Sequence, residues 1–270
     1  MTTDVVSPTA SPTLPPLVIY EMPLSDAIRI CLRLENLFLQ FDKTMSCPSP
    51  LTAKNAMDAV LKTIEVTDRP DIKSKLSQTL TQYTNALSQF RDSPIVHTPK
   101  LHDTLSKLET LNHQLQTQRA RIGEVLRNNE FLSQVRSNLT NPGGVCDYRL
   151  PAYQLWQNKS TLEKSKDLQE WMTVFQPLRE ITTLLLQLTR DSTPMTTVTA
   201  EKGFYLQTLN PATYCHLIRV AVPPETNAYP EFGAGKHRVT IRFLIPQYFG
   251  TGKATQAQQA VIFDLACCKL

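Results

Sequence analysis

The stretch Lys236-His-Arg-Val-Thr-Ile-Arg-Phe243 decides how the last third of the chain is read. Val239, Ile241 and Phe243 alternate with Arg238, Thr240 and Arg242. A strand sends successive side chains to opposite faces, so this period of two gives an apolar core face and an arginine-bearing solvent face. Residues 237–245 therefore read as a half-buried strand. Residues 203–209, 214–222 and 261–267 read likewise as strands, set apart by Pro, Gly and Asn turns. Strands at this spacing with no helical stretch between them indicate an antiparallel sheet.

Moving toward the N-terminus, the period changes from 2 to 3.6 at about Ser192. Residues 160–188 form one helical block that Pro177 is expected to kink or split. Ile72, Leu76, Leu80, Tyr83, Leu87 and Phe90 follow spacings of four, four, three, four and three. Leu101, Leu105, Leu108 and Leu115 repeat that pattern after Pro99. The short connection 93–99 suits an antiparallel helix pair. Pro50 and Pro70 stand where a first helical turn tolerates proline. A helix carrying Val125, Leu126 and Val135 should stop at Asn141-Pro-Gly-Gly144. Ser25 is placed to cap a helix with Ile28, Leu32 and Leu39 facing inward and Arg29, Arg33 and Asn36 facing outward. Two short runs, 17–22 and 145–150, look like strands and are expected to join the C-terminal sheet. The fold class is α+β, with the helical domain over 24–140 and 158–192. The β domain takes 17–22, 145–157 and 193–270. Residues 1–16, with four prolines, four threonines and two serines, lack the apolar groups to offset ordering entropy and read as a disordered tail.

Composition excludes several classes. Eight Gly against 19 Pro argues against a glycine-looped nucleotide-binding fold, and a net charge of +4 is too mild to imply nucleic acid by itself. The N-terminus lacks the basic start and apolar run of a secretory signal, and no apolar run is long enough for a transmembrane helix, so a cytoplasmic setting is expected. Cys31, Cys47, Cys146, Cys215, Cys267 and Cys268 then read as reduced thiols. Cys267 and Cys268 point to opposite faces of a strand and make a poor chelate; one of them is expected in the core. His97, His102, His113, His216 and His237 lack ligand spacing, so no metal and no cofactor are expected. Gly235-Lys236 and Gly252-Lys253 fail the phosphate-loop pattern, having Pro230 and Gln247 where the first glycine is needed and His237 and Ala254 after the lysines. With no nucleophile elbow and no catalytic pair at a useful spacing, a catalytic role is not expected, and a site assembled from distant residues stays a lesser alternative.

What remains is clustered positive charge. Arg238 and Arg242, with Lys236 nearby, can grip carboxylates bidentately from one strand face. Arg29 and Arg33, one helical turn apart, form a second basic stripe. Each has a plain alternative as a solvated surface. Phosphate would suit the same arginines, which leaves an RNA-binding module open. The strand itself carries no aromatic platform of the kind single-stranded recognition favours, so no nucleic acid is expected.

An ordered set of motifs sharpens this. Tyr20-Glu-Met-Pro-Leu24 precedes Arg29-x-x-x-Arg33-Leu-Glu35, Arg121-Ile-Gly123 and Asn141-Pro-Gly-Gly144. Leu150-Pro151 before Trp156, Gly203-Phe-Tyr205 and Tyr229-Pro230 follow. Lys236-His-Arg238, Ile241-Arg-Phe243 and Phe263-Asp-Leu-Ala-Cys-Cys268 complete the series. In this order they resemble the ZapD family of FtsZ-associated cell-division proteins, over roughly residues 17–268. The resemblance implies a helical domain beside a β domain, a homodimer, and binding to the C-terminal tail of FtsZ. It also implies bundling of FtsZ protofilaments at mid-cell with the division ring, promotion of Z-ring assembly and lowered FtsZ GTPase activity. Its basic pocket carries over to Arg29, Arg33, Lys236, Arg238 and Arg242. Glu130 and Gln154 depart from the basic character the family pattern leads one to expect. Residues 1–16 and Lys269-Leu270 lie outside the pattern.

Overall fold

The computed structural model describes residues 17–47, 49–91, 98–139, 150–210, 214–235 and 238–269, in two compact units. The first comprises Pro23–Ser192 and is helical; the second comprises residues 17–22 with Thr193–Lys269 and is built of strands.

The helical unit runs α1 (Asp26–Met45), α2 (Pro50–Thr67), α3 (Ile72–Ser88), α4 (Thr98–Thr117), α5 (Glu124–Arg127), α6 (Glu130–Leu139), α7 (Pro151–Gln157), α8 (Thr161–Thr173) and α9 (Gln176–Asp191). Local chemistry sets these starts. The Ser25 hydroxyl accepts from the Ile28 amide at 3.2 Å, as its position before α1 predicts. Ser160 and Glu163 form a reciprocal capping box at α8, satisfying two amides that the first turn leaves unpaired. Pro177 falls in the first turn of α9, so the predicted block over 160–188 is two helices divided at residues 174–175.

Helix α1 packs on α2 and α9, α3 pairs with α4, and α2 with α8. Ile28, Leu34, Leu76, Leu80, Leu108, Leu132 and Phe175 are almost wholly withdrawn from solvent. Each such side chain contributes about 1.5–3 kcal/mol relative to exposure. Polar ties fix the register of α9 against its neighbours. Arg190 grips both oxygens of Glu35 at 2.7 Å, Arg179 reaches Asp42 at 3.0 Å, and the buried Tyr83 and Thr189 hydroxyls meet at 2.7 Å.

Several expectations need correction here. Leu39 is 51% exposed and Leu32 only half-buried, because the buried stripe of α1 runs through Leu34, Leu37, Phe38 and Phe41. Phe90 lies beyond the end of α3 and is exposed, and Pro70 stands just before α3 rather than in its first turn. The helix expected through Val125 and Val135 breaks at residues 128–129, where the Asn129 side chain accepts from the Leu132 amide and starts α6; Val125 is exposed. The connection 93–99 and the turn at 141–144 fall wholly or mostly outside the described residues. So does the proposed strand at 145–150, apart from Leu150. The adjoining 151–157, expected with the β domain, is instead helix α7 and clusters with the helical unit. Pro151 opens it from the first-turn position, where proline is tolerated.

The β unit contains β1 (Val18–Pro23), β2 (Thr196–Ala200), β3 (Phe204–Thr208), β4 (Cys215–Val222), β5 (Tyr229–Ala234), β6 (Arg238–Ile245), β7 (Thr255–Gln256) and β8 (Val261–Lys269). The single sheet expected is two sheets. One has the order β1-β4-β8-β2; the other has β6 between β3 and β5, with β7 also paired to β6. The pairings β2–β8, β4–β8, β3–β6, β5–β6 and β6–β7 are antiparallel. Phe243 on β6 and Phe263 on β8 meet with ring centroids 4.9 Å apart, and Tyr205 on β3 stands edge-on to Phe263 at 5.5 Å, so aromatic side chains join the sheets. Strand β1 is tied to β4 by Glu21 and Arg219 at 2.9 Å, a pair largely shielded from water. The chain passes from one sheet to the other through a turn at Gly203, whose φ of +69° lies in the left-handed region that favours glycine.

Candidate partner-binding face

The outer face of the β3-β6-β5 sheet assembles residues distant in sequence. On β6, Val239, Ile241 and Phe243 are fully buried, while Arg238 and Arg242 are exposed, as their alternation predicts. Register adds what one strand cannot show. Arg242 stands opposite Phe204 on β3 and Glu231 on β5; Thr240 stands opposite Leu206 and Gly233; Arg238 stands opposite Thr208. Cross-strand partners share a face, so Phe204 and Leu206, 40% and 50% exposed, lie beside the arginine row. The Thr240 hydroxyl donates to the Gly233 carbonyl at 3.2 Å and leans toward β5. Neither arginine makes an ion pair among the described residues, and both guanidinium groups face solvent with their donors available.

Arg29 and Arg33 sit one turn apart on α1, in the helical unit, while Arg238 and Arg242 belong to the β unit. Arg29 is already engaged: it donates to the Asp26 carboxylate and to the Pro23 carbonyl, the latter at 3.4 Å. Asp26 in turn accepts from the Lys75 ammonium at 2.9 Å, which also reaches Asp71 at 2.8 Å. Lys75 holds the Asp26 carboxyl below the usual aspartate range, with Arg29 adding to the effect. Arg33 is exposed and forms no ion pair among the described residues. Lys236 lies outside the described residues. Sequence reasoning thus found the two arginine pairs but missed Phe204, Leu206 and Glu231, and its objection that the face lacks an aromatic group does not hold once β3 is in register. The alternation of Phe204, Leu206 and Thr208 with Tyr205 and Gln207 was the available signal.

Among the described residues no cluster of His, Cys, Asp and Glu could hold a metal, and no helix is long and apolar enough to cross a membrane. Cys268 is buried and Cys267 half-exposed, as opposite faces of β8 require. What stands out is an α+β protein with a helical unit, a two-sheet β unit and an exposed arginine row on one strand face. The family model described as ZapD, Cell division protein, matches residues 32–242. The chain is 44% identical over 254 residues to "Cell division protein ZapD" of Coxiella burnetii (strain RSA 331 / Henzerling II), covering 94% of this chain and 98% of that protein. It is 32% identical over 254 residues to the protein of the same name from Azoarcus sp. (strain BH72), covering 94% and 100%. The chain belongs to the ZapD family of cell division proteins.

Proposed function

We propose that this cell division protein binds the C-terminal tail of FtsZ through the outer face of the β3-β6-β5 sheet, crosslinks FtsZ filaments as a homodimer, and thereby promotes Z-ring assembly at mid-cell. Slower FtsZ GTP turnover accompanies that assembly. The observation that carries the reading is the exposed pair Arg238 and Arg242 on one strand face, in a chain of this family. Two guanidinium groups are suited to the carboxylates of a flexible acidic segment, which they meet as charge-assisted, bidentate hydrogen bonds. Arg33 and Lys236 are proposed as further contacts, while Arg29, held by Asp26 and Pro23, is proposed to order the start of α1, one turn before Arg33. A dimer offers two such sites, and a filament offers many tails. Occupation of one site raises the effective concentration at the second, so individually weak contacts become firm crosslinks. Co-sedimentation with FtsZ, with and without its C-terminal tail, tests this. The chain is expected to pellet with intact filaments and to remain in solution with tailless ones; equal pelleting in both would overturn the proposed site of attachment.

A further inference from the structure

The arginine row has an apolar companion that simple charge neutralisation does not call for. Phe204 and Leu206 occupy alternate positions of β3 and stand opposite Arg242 and Thr240. Both are substantially exposed, although their neighbours Tyr205 and Gln207 on the other face are half-buried. Arg238 and Arg242 stand roughly 13 Å apart along the strand from its rise per residue. Between them come Thr240, turned toward β5 by its hydrogen bond, and Gly233, which has no side chain; a Cβ there would come within 2.5 Å of the Thr240 hydroxyl. Leu206 and Phe204 flank these small residues on the β3 side. Glu231, across from Arg242 on β5, makes the far side acidic and disfavours a carboxylate there.

We infer that this face binds an extended acidic peptide by seating one large apolar side chain against Phe204 and Leu206 while Arg238 and Arg242 hold carboxylates to either side of it. The inference rests on the tail-binding reading above and adds its specificity: the face rejects acidic segments that lack an apolar residue. Two cations alone would accept any polyanion and would lose it to salt. An apolar seat between them supplies a contact that salt does not screen, and requires a particular side chain on the ligand.

The test uses the full chain, a fluorescent FtsZ C-terminal tail peptide, the same peptide with its large apolar side chains changed to alanine, and a polyglutamate peptide. Anisotropy is read at low and high salt. The parent chain is expected to keep measurable tail affinity at high salt and to bind polyglutamate only at low salt. Phe204→Ser with Leu206→Ser, at exposed positions, is expected to fold normally by circular dichroism yet lose affinity on the order of tenfold or more at both salts, in line with losing most of one buried side chain. The alanine-substituted peptide should show the same loss against the parent chain and no further loss against the double variant. If the folded double variant binds the tail as the parent does, while Arg238→Glu and Arg242→Glu do not, the apolar seat is wrong and the arginine reading survives. If the arginine variants also bind normally, the parent reading falls and takes this one with it. A single-stranded oligonucleotide that binds with greater dependence on Phe204 than the peptide would overturn the peptide assignment in favour of RNA.

Discussion

Arg238 and Arg242 illustrate how far a single residue can be altered here without disturbing the fold. Their side chains leave the core to Val239, Ile241 and Phe243, so Arg238→Glu or Arg242→Glu is expected to change stability by no more than about 0.5 kcal/mol. Binding of the FtsZ tail peptide is expected to fall by roughly 2 kcal/mol or more, because an attractive hydrogen-bonded contact becomes like-charge repulsion. Anisotropy titration beside thermal melts separates the two quantities. The cysteines offer a second check at this scale. Interaction with the neighbouring Cys215 thiol, and the nearness of Lys269, draw the Cys267 thiol down to about 7 despite burial; the same interaction drives Cys215 upward. Burial pushes Cys31 up to about 12. Iodoacetamide at pH 7 is therefore expected to label Cys47 and Cys267 well before Cys31, Cys215 or Cys268, with the order read by mass spectrometry of timed digests.

At the scale of the element, charge and turn chemistry decide which ends are held. Lys75 on α3 bridges Asp71 and Asp26, tying the start of α1 to α3. Both aspartates titrate below their ordinary value, chiefly because each accepts from Lys75, so their contribution is present above the unfolded aspartate pKa and is lost as pH falls through the folded one. Lys75 is raised, first by Asp71 and then by Asp26, so its share is present below the ordinary lysine pKa and is lost as pH climbs through the folded value. The cluster acts between about pH 4 and pH 10. A Lys75→Met chain is expected to melt slightly below the parent at pH 7, with the gap closing as pH falls below the ordinary aspartate range and both carboxylates take up protons. The turn at Gly203 is less forgiving. A Cβ there would lie 2.6 Å from the Ala257 carbonyl, and the positive φ adds backbone strain. Gly203→Ala is expected to cost at least about 1 kcal/mol in denaturant unfolding and to weaken tail binding, since it displaces Phe204.

These elements also show what the sequence could and could not convey. Strands β3, β6 and β8 were legible from alternation, and β1 and β4 from short apolar, β-branched runs bounded by turn residues. Strand β2 (Thr-Thr-Val-Thr-Ala) lacks a clear apolar face, β5 contains Pro230 and Gly233, and β7 has two residues, so none announces itself. The division into two sheets was not legible either, because alternation says that a strand has a buried face and not which partner covers it. The same limit applies to the site. The arginines were visible on one strand, whereas Phe204, Leu206 and Glu231 join them only through pairing across 11 to 38 positions of sequence, which no local period encodes.

For the molecule as a whole, assembly state is the property on which the proposed bundling turns. One tail site per chain cannot bridge two filaments, so a variant held monomeric, as judged by sedimentation velocity, is expected to bind the tail peptide with the affinity of the parent while failing to bundle FtsZ in light scattering. A monomer that still bundles would overturn the crosslinking scheme.

The position of β8 has a consequence for how the chain emerges during synthesis. It lies between β4 and β2 in its sheet, yet it leaves the ribosome after both of them, while β1 at the edge of that sheet precedes them. The helical unit is complete once Ser192 has cleared the exit tunnel, so α1 can then pack on α9 and α2 on α8. The strand unit has no such option: β4 and β2 must wait, with the edges that face the gap unpaired, until residues 261–269 fill it. A stop codon or a protease cut just before Val261 is therefore expected to cost the proposed binding face as well, since it strips Phe263 from Phe243 although it removes neither Arg238 nor Arg242.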